Sequence, residues 1–295
     1  MKVVRSKVIG YCFGVANTIE KAEQCIAQAR KEGVPCYSIG AIIHNKDVVS
    51  RFSELGMVTT KDPQGLEPGL ALIRAHGIAD SVRRSYLKAG FTLVDSTCPI
   101  VAKGAVALRK AASKGIRTII LGVRGHAETV GLQGVETEDG KRIDSILICN
   151  LPEAIELVSS GTLDEESEIV AVVQTTFPEY EYSAITAFLR EHYPKIRFST
   201  SPCGATSARQ KAAVELAKSC DAMVVIGGRN SENTKALARA VKDACPLPVY
   251  CIENCNDLEG DLLRELSGFS TVGLCSGSST PTSVIREVEE KLERL

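Results

Sequence analysis

Along most of the chain, short runs of consecutive apolar residues alternate with longer stretches in which apolar positions recur every three to four residues. The first pattern suits a strand buried on both faces, the second a helix with one face on a core. The runs predict strands over residues 3–9, 36–39, 71–74, 92–94, 118–123, 145–149, 169–173, 222–226, 249–252 and 271–275. Helical periodicity is clearest over 15–29, 152–158, 179–192, 205–218, 234–244 and 281–295. This alternation predicts α/β units built on parallel sheets. Residues 61–68, 137–142 and 161–168 carry turn residues without either period and read as surface loops.

Length and charge narrow the classes. At 295 residues the chain can form one large or two to three small domains with ample core. Lys and Arg number 35 against 36 Asp and Glu, so no excess charge points to nucleic acid or an anionic membrane surface. No apolar run approaches the ~18 residues of a membrane helix. Lys2 and Arg5 precede a few apolar residues, but polar Asn17 and Glu20 follow without a cleavage pattern, and no signal peptide is expected. Eleven cysteines, an odd number scattered through apolar segments, point to a reducing compartment, the cytoplasm by default.

The chemistry gathers where strands hand over to helices. Phe91-Thr-Leu-Val-Asp95-Ser-Thr97-Cys98-Pro99 reads as a strand, a turn and a helix with Pro99 at its first position. Cys98 then sits at a helix N-terminus, where free N–H groups and the dipole favour a thiolate. Cys12, before the helical stretch 15–29, and Cys203, before 205–218, share that setting. Cys149 and Cys255 also lie near strand-to-helix turns and are rivals. Cys25 and Cys220 fall within predicted helices, and Cys36 and Cys275 within or at the ends of strands, as small core hydrophobes do. Cys251 and Cys255 form a local pair with no second pair and no nearby His. Three separated thiolates could hold an iron–sulfur cluster, although the spacing matches none of the usual ferredoxin runs.

Of the four histidines, His44, His76 and His126 lie at strand ends beside Gly or Asn, where an imidazole can cap a helix, ligate a metal or bind an anion. His192, near the end of a helix, reads as structural. Residues 227–234 and 276–281 each put small hydroxyl and amide side chains with glycine at a helix start. Such a loop can cradle an anion. Ordinary N-capping by Ser or Asn is the competing explanation. Neither loop carries a P-loop or dinucleotide fingerprint. His126-Ala-Glu128 places a base and a carboxyl on one turn, and Gln174-Thr175-Thr176 offers hydroxyls for proton delivery.

Together these pieces resemble the 4-hydroxy-3-methylbut-2-enyl diphosphate reductase family. The matching segments are Gly10-Tyr-Cys12-Phe-Gly14-Val, Ile43-His44-Asn45, Arg74-Ala-His76-Gly77, Asp95-Ser-Thr97-Cys98-Pro99, Gly125-His126-Ala-Glu128, Gln174-Thr175-Thr176, Cys203-Gly-Ala-Thr206 with Arg209-Gln210, Asn230-Ser231-Glu-Asn233 and Gly277-Ser-Ser279-Thr-Pro281. They run in the family's order across nearly the whole chain. The resemblance implies a trefoil of three pseudo-equivalent small α/β domains with mainly parallel sheets around a central [4Fe-4S] cluster. The domains would span 14–98, 99–200 and 201–285, the last completed by the strand 1–13, with 286–295 the end of the C-terminal helix.

By the same resemblance Cys12, Cys98 and Cys203 are the cluster ligands, leaving one iron open to the substrate hydroxyl. His44, His76, His126, Thr175, Ser231, Asn233 and Ser279 would hold the allylic diphosphate. Glu128, with Thr175 and His126, would relay protons. The implied reaction yields isopentenyl and dimethylallyl diphosphates, with electrons from a protein donor such as ferredoxin or flavodoxin. Quinolinate synthase also arranges three domains around three cysteines, but the His-x-Glu and Thr-Thr pieces argue against it. A non-catalytic iron–sulfur sensor would need neither the acid nor the anion cradle. The chain departs from the family at Gly204, Ala208 and Glu232. Glu232, beside two expected diphosphate ligands, is expected to turn away from them in the first turn of a helix, screened by Arg229 or Lys235.

Overall fold

The computed structural model describes residues 1–43, 45–229 and 231–295. Their strands are β1 (Lys2–Arg5), β2 (Cys36–Ile39), β3 (Met57–Thr60), β4 (Leu70–Ile73), β5 (Thr92–Asp95), β6 (Arg117–Leu121), β7 (Ser145–Ile148), β8 (Ile169–Val173), β9 (Ile196–Phe198), β10 (Ala222–Ile226), β11 (Val249–Ile252) and β12 (Thr271–Ser276). The α-helices are α1 (Phe13–Glu32), α2 (Lys46–Glu54), α3 (Asp80–Lys88), α4 (Pro99–Ala112), α5 (Ala127–Gln133), α6 (Leu151–Ser159), α7 (Glu179–His192), α8 (Gly204–Ala217), α9 (Glu232–Ala244), α10 (Gly260–Ser267) and α11 (Thr282–Glu293). Among the described residues no helix is long and apolar enough to cross a membrane.

The strands form three four-stranded sheets, in the orders β3-β2-β4-β5, β7-β6-β8-β9 and β11-β10-β12-β1. Every pairing in them is parallel. Each sheet therefore has one order along the chain: second, first, third, fourth. In the last sheet the fourth place is taken by β1, whose Lys2 faces Thr271 of β12. By internal contacts the chain divides into two compact units. One comprises Met1–Asn17, Ile43–Leu55 and Gly204–Leu295, and holds the β11-β10-β12-β1 sheet. The other comprises Thr18–Ile42 and Gly56–Cys203, and holds the other two sheets.

The central strands are the continuous apolar runs of the sequence. Every residue of β2, β4, β8 and β10 is buried, and each fully buried Ile, Val or Leu there contributes about 1.5–3 kcal/mol. The outer strands are half-solvated. Strands β3 and β9 escape the apolar-run reading because each buries a single residue, Met57 and Ile196. Strand β1 stops at Arg5 because the chain bends at Lys7 and Val8, so 6–9 is not strand. Helix α8 ends at Ala217, which places Cys220 in the turn beyond it rather than within a helix.

The helix after each fourth-place strand packs on another sheet. Helix α4, after β5, lies on β6 and β8, with Leu108 among Ile120 and Val172. Helix α8, after β9, lies on β12, with Ala213 and Ala217 against Met223 and Val225. Helix α1, after β1, brings Cys25 Sγ to 3.5 Å from Cys36 Sγ on β2, and its Lys21 Nζ donates to the Asp95 carbonyl of β5 at 2.6 Å.

One close approach fixes α5 against the segment that leads into α3. Gly134 caps α5, and its carbonyl accepts from Asp80 N–H at 3.0 Å. A Cβ there would lie 2.2 Å from Ala79 Cβ and 3.0 Å from Ala79 Cα. Neither atom can swing aside as a long side chain could. At Gly204, by contrast, a Cβ meets nothing within 4 Å, so packing leaves room for a side chain there. Gly134→Val should therefore lower the unfolding free energy by about 1–3 kcal/mol, and Gly204→Ala by less than about 0.5 kcal/mol. Urea unfolding of the two variants checks the contrast. Equal effects would show that the Gly134 contact is not rigid.

Candidate active site

In a sheet ordered second-first-third-fourth, the connections leave the first and third strands in opposite directions. A crevice opens between their C-terminal ends. The loops after first-place strands β2, β6 and β10 carry Asn45, His126 to Glu128, and Ser231 to Thr234. Those after third-place strands β4, β8 and β12 carry His76, Gln174 to Thr176, and Gly277 to Thr280. His44 and Asn230 lie outside the described residues.

Three cysteines follow the fourth-place strands. Cys98 follows β5 and is the N-cap of α4, with Pro99 opening the helix. Cys203 follows β9 and precedes α8, and Cys12 follows β1 and precedes α1. Each donates its backbone N–H to the loop after the third-place strand of its own sheet. Cys98 bonds the Ala75 carbonyl at 3.0 Å, Cys203 that of Thr175 at 2.7 Å, and Cys12 that of Ser278 at 3.3 Å. All three are half-buried.

The rivals differ in position. Cys149 and Cys255 follow β7 and β11, which are second-place strands. The Cys149 N–H goes instead to Glu153 Oε2 at 2.9 Å, and burial, then the Glu153 charge, pushes its thiol up. Cys251 is exposed on β11. Cys275 is fully buried, and desolvation pushes its thiol up to about 12. His192 Nδ1 lies 2.9 Å from the Phe188 carbonyl of its own helix, a structural role.

In the unit built on two sheets, His76, His126, Glu128 and Thr175 come together. His126 caps α5, its Nδ1 accepting from Glu128 N–H at 3.2 Å. That leaves Nε2 as the protonated, donating nitrogen of the neutral ring. The His76 and His126 rings meet edge to face with centroids 5.5 Å apart. Glu128 is 1% exposed. Its Oε1 accepts from Thr175 N–H and its Oε2 from Thr175 Oγ1, both at 2.7 Å. Burial raises its pKa to about 7, with the two Thr175 bonds pulling the other way. His76 and Glu128 also line one cavity of about 430 Å³, walled in part by Thr97, Val101 and Leu132.

In the other unit the loops at 227–234 and 276–281 bring buried polar groups together. Ser231 caps α9, its Oγ accepting from Thr234 N–H at 3.3 Å, which is the ordinary capping bond. Among the described residues nothing accepts its hydroxyl proton. Asn233 Nδ2 donates to Ser278 Oγ. Among the described residues Asn233 Oδ1, Thr234 Oγ1 and Ser279 Oγ are buried without a hydrogen-bond partner. Each such group costs about 1–3 kcal/mol, which a ligand would offset. Glu232 opens α9 and pairs with Lys235 Nζ at 2.8 Å, screened as the sequence suggests.

Two residues quoted only as parts of motifs prove structural to the site. Gln174 Oε1 accepts from Val123 N–H at 2.8 Å and Thr129 Oγ1 at 3.0 Å, tying the Thr175 turn to the loop that leads to His126. Arg209, 3% exposed, donates to the carbonyls of Ser276 and Gly10 at 2.9 and 2.8 Å. A polar residue in an otherwise small-residue helix start was the signal for Arg209. For Gln174 it was an amide that ends a fully buried strand. Among the described residues no group of three or more His, Cys, Asp or Glu converges tightly enough for a single metal ion. A multi-iron cluster needs its thiolates farther apart.

Residues 3–293 match the LytB protein family. A Treponema denticola protein named 4-hydroxy-3-methylbut-2-enyl diphosphate reductase is 33% identical over 99% of each chain. A Shouchella clausii protein of the same name is 33% identical over 98% of this chain and 89% of its own. The solved structure of the E-1-hydroxy-2-methyl-but-2-enyl-4-diphosphate reductase from Plasmodium falciparum superimposes with a TM-score of 0.85. It covers all of this chain and 87% of its own at 24% identity, a likeness of fold. A structure described as (E)-4-hydroxy-3-methyl-but-2-enyl diphosphate reductase, the terminal enzyme of the non-mevalonate pathway, gives a TM-score of 0.72 at 28% identity over both full chains.

The Glu128 environment has a measurable signature. A carboxyl whose folded pKa is raised adds stability that is complete below its unfolded value. That stability is lost as pH rises through the folded value, here from about 4.5 through about 7. Glu128→Gln keeps the shape, and the Thr175 hydroxyl can reverse to accept from the new amide. The metal-free variant should therefore be more stable than the parent by about 1–3 kcal/mol at pH 8, with the gap closing towards pH 4.5. Urea titrations across that range test it, and a gap that widens on acidification would refute the raised pKa.

Proposed function

The chain belongs to the LytB family, and from that membership we propose that it carries out the reductive dehydroxylation of (E)-4-hydroxy-3-methylbut-2-enyl diphosphate to isopentenyl and dimethylallyl diphosphates. This is the last step of the non-mevalonate isoprenoid pathway. On this reading the enzyme works in the cytoplasm and receives electrons from a protein such as ferredoxin or flavodoxin. The observation that carries the proposal is the threefold placement of Cys12, Cys98 and Cys203. Each lies after the fourth strand of an identically ordered sheet, before a helix, with its N–H bonded to the loop after the third strand.

That donor set fits an iron–sulfur cluster: three accessible thiols, each at a helix start that favours the thiolate. A [4Fe-4S] cluster bound by three cysteines would supply single electrons and one Lewis-acidic iron with an open position. Cys149 and Cys255 stand outside the set because they follow second-place strands.

The remaining roles fall to side chains. Ser231, Asn233 and Ser279 hold the diphosphate: an anion there would accept from the partnerless Ser279 hydroxyl and from Asn233 Nδ2, which otherwise donates to Ser278 Oγ. His76, His126 and Thr175 join them, His126 through its Nε2–H, and His44 is added by family resemblance. Glu128, poised near neutral pH, donates the proton that lets the hydroxyl depart as water. The Thr175 hydroxyl, bonded to Glu128 Oε2, positions that proton. The overall change consumes two electrons and two protons, and the second proton adds at either end of the allylic fragment, giving two products.

Two measurements test this reading. Serine variants compared for iron content after anaerobic reconstitution should separate Cys12, Cys98 and Cys203 from Cys149, Cys251 and Cys255. Full iron in Cys98→Ser, or loss of iron in Cys149→Ser, would reject the ligand set. Separately, Glu128→Gln should bind the allylic diphosphate with near-normal affinity while losing about 10²–10⁴-fold in kcat. Near-parental kcat would move the acid role away from Glu128.

A further inference from the structure

Arg209 is a buried cation without a buried anion. It lies in the second turn of α8 at 3% exposure, and its guanidinium bonds two carbonyls, those of Ser276 and Gly10. Among the described residues no carboxylate pairs with it. As thiolates, Cys12 and Cys275 would each favour its charged form. Cys275 sits deep in an apolar cluster, so the half-buried Cys12 is the group that can answer it. A buried charge is ordinarily paired, because desolvation without a counter-charge costs several kcal/mol.

The bonds of Arg209 converge on the turn that presents Cys12. Gly10, two residues before Cys12, gives its carbonyl to Arg209 and its N–H to Ser276 Oγ at 2.9 Å. Cys12 N–H reaches Ser278 O. Gly10 has φ +82°, a conformation that other residues resist, so this turn is tightly specified. The fold does not require a cation here. The matching helical positions after Cys12 and Cys98 are Thr18 and Gly104.

We propose that Arg209 is a positioning residue that holds the Cys12 turn and supplies the fixed positive charge facing a thiolate-bound iron–sulfur cluster. This rests on the reading of Cys12 as a cluster ligand. A cation beside the cluster stabilises its reduced, more negative form, so removing it lowers the reduction potential. Removing the bridge between two carbonyls also loosens Cys12 and speeds loss of iron.

The test uses anaerobically reconstituted holoenzyme without substrate. Iron release to a ferrous chelator and the midpoint potential from an EPR-monitored redox titration are measured for each variant. Arg209→Gln should release iron at least tenfold faster. At a fixed poise its oxidised-to-reduced ratio should rise at least tenfold, or ~59 mV for a one-electron couple. Arg209→Lys should return the potential to the parental value but still release iron faster, because one ammonium cannot reproduce the planar fork across two carbonyls. Parental potential and iron release in a folded Arg209→Gln variant would overturn the proposal, as would an Arg209→Lys variant whose potential stays low. If Arg209→Gln does not fold, parental iron release in Arg209→Lys overturns it. Cys12→Ser separates the two levels. Full iron in that variant defeats the ligand reading, whereas iron loss there beside unaltered Arg209 variants defeats only the role of Arg209.

Discussion

A cysteine N–H held by a carbonyl of the neighbouring loop is the contact on which the rest of the site depends. It occurs three times, from Cys98 to Ala75, from Cys203 to Thr175 and from Cys12 to Ser278. In each case the acceptor adjoins or is a residue with chemistry of its own: His76, Thr175 itself and Ser279. One bond thus ties the backbone of each cysteine to a loop that carries a histidine or hydroxyl side chain. Parallel strands make this possible, because every return crossing starts at the same rim and the loops that matter gather there. The helix beginning at each sulfur then contributes free N–H groups and a dipole that suit a negative charge.

Burying Glu128 opposes stability at neutral pH, since a carboxylate loses its water there. Thr175 offsets part of that cost with two donors, and the same residue accepts from Cys203. Gln174, immediately before it, is fully buried and joins the turn to Val123 and Thr129. The acid is therefore held by backbone and by residues that are themselves held. The tuning of its proton affinity depends on the order of a single turn rather than on a charged partner.

The central strands were legible because they are buried on both faces, and β2, β8 and β10 run over the residues their apolar character predicts. Strands β3 and β9 were not, since a single buried side chain leaves no run to read. The settings of Cys12, Cys98 and Cys203 were visible as strand-to-helix handovers, but so were those of Cys149 and Cys255. What separates them is the place of the preceding strand in its sheet, which depends on pairing between distant segments. The contacts of Arg209 were hidden for the same reason: its acceptors, Gly10 and Ser276, come from distant parts of the chain. Glu232 was legible from local rules alone, because its partner is one helical turn away.

The last sheet borrows β1 to fill its outer place beside β12, and this sets a timetable for biosynthesis. Lys2 and Thr271 are neighbours in space but emerge from the ribosome roughly 270 positions apart, which at about 5–20 residues per second is tens of seconds. The other two sheets draw all their strands from continuous stretches of chain and can close while translation proceeds. Throughout that interval the Val3–Val4 edge has no partner, and the carbonyl of Ser278 that anchors Cys12 does not yet exist. Two of the three cysteine turns can form early and the third only after β12 has been made, so the Cys12 turn stays unformed almost to the end of synthesis.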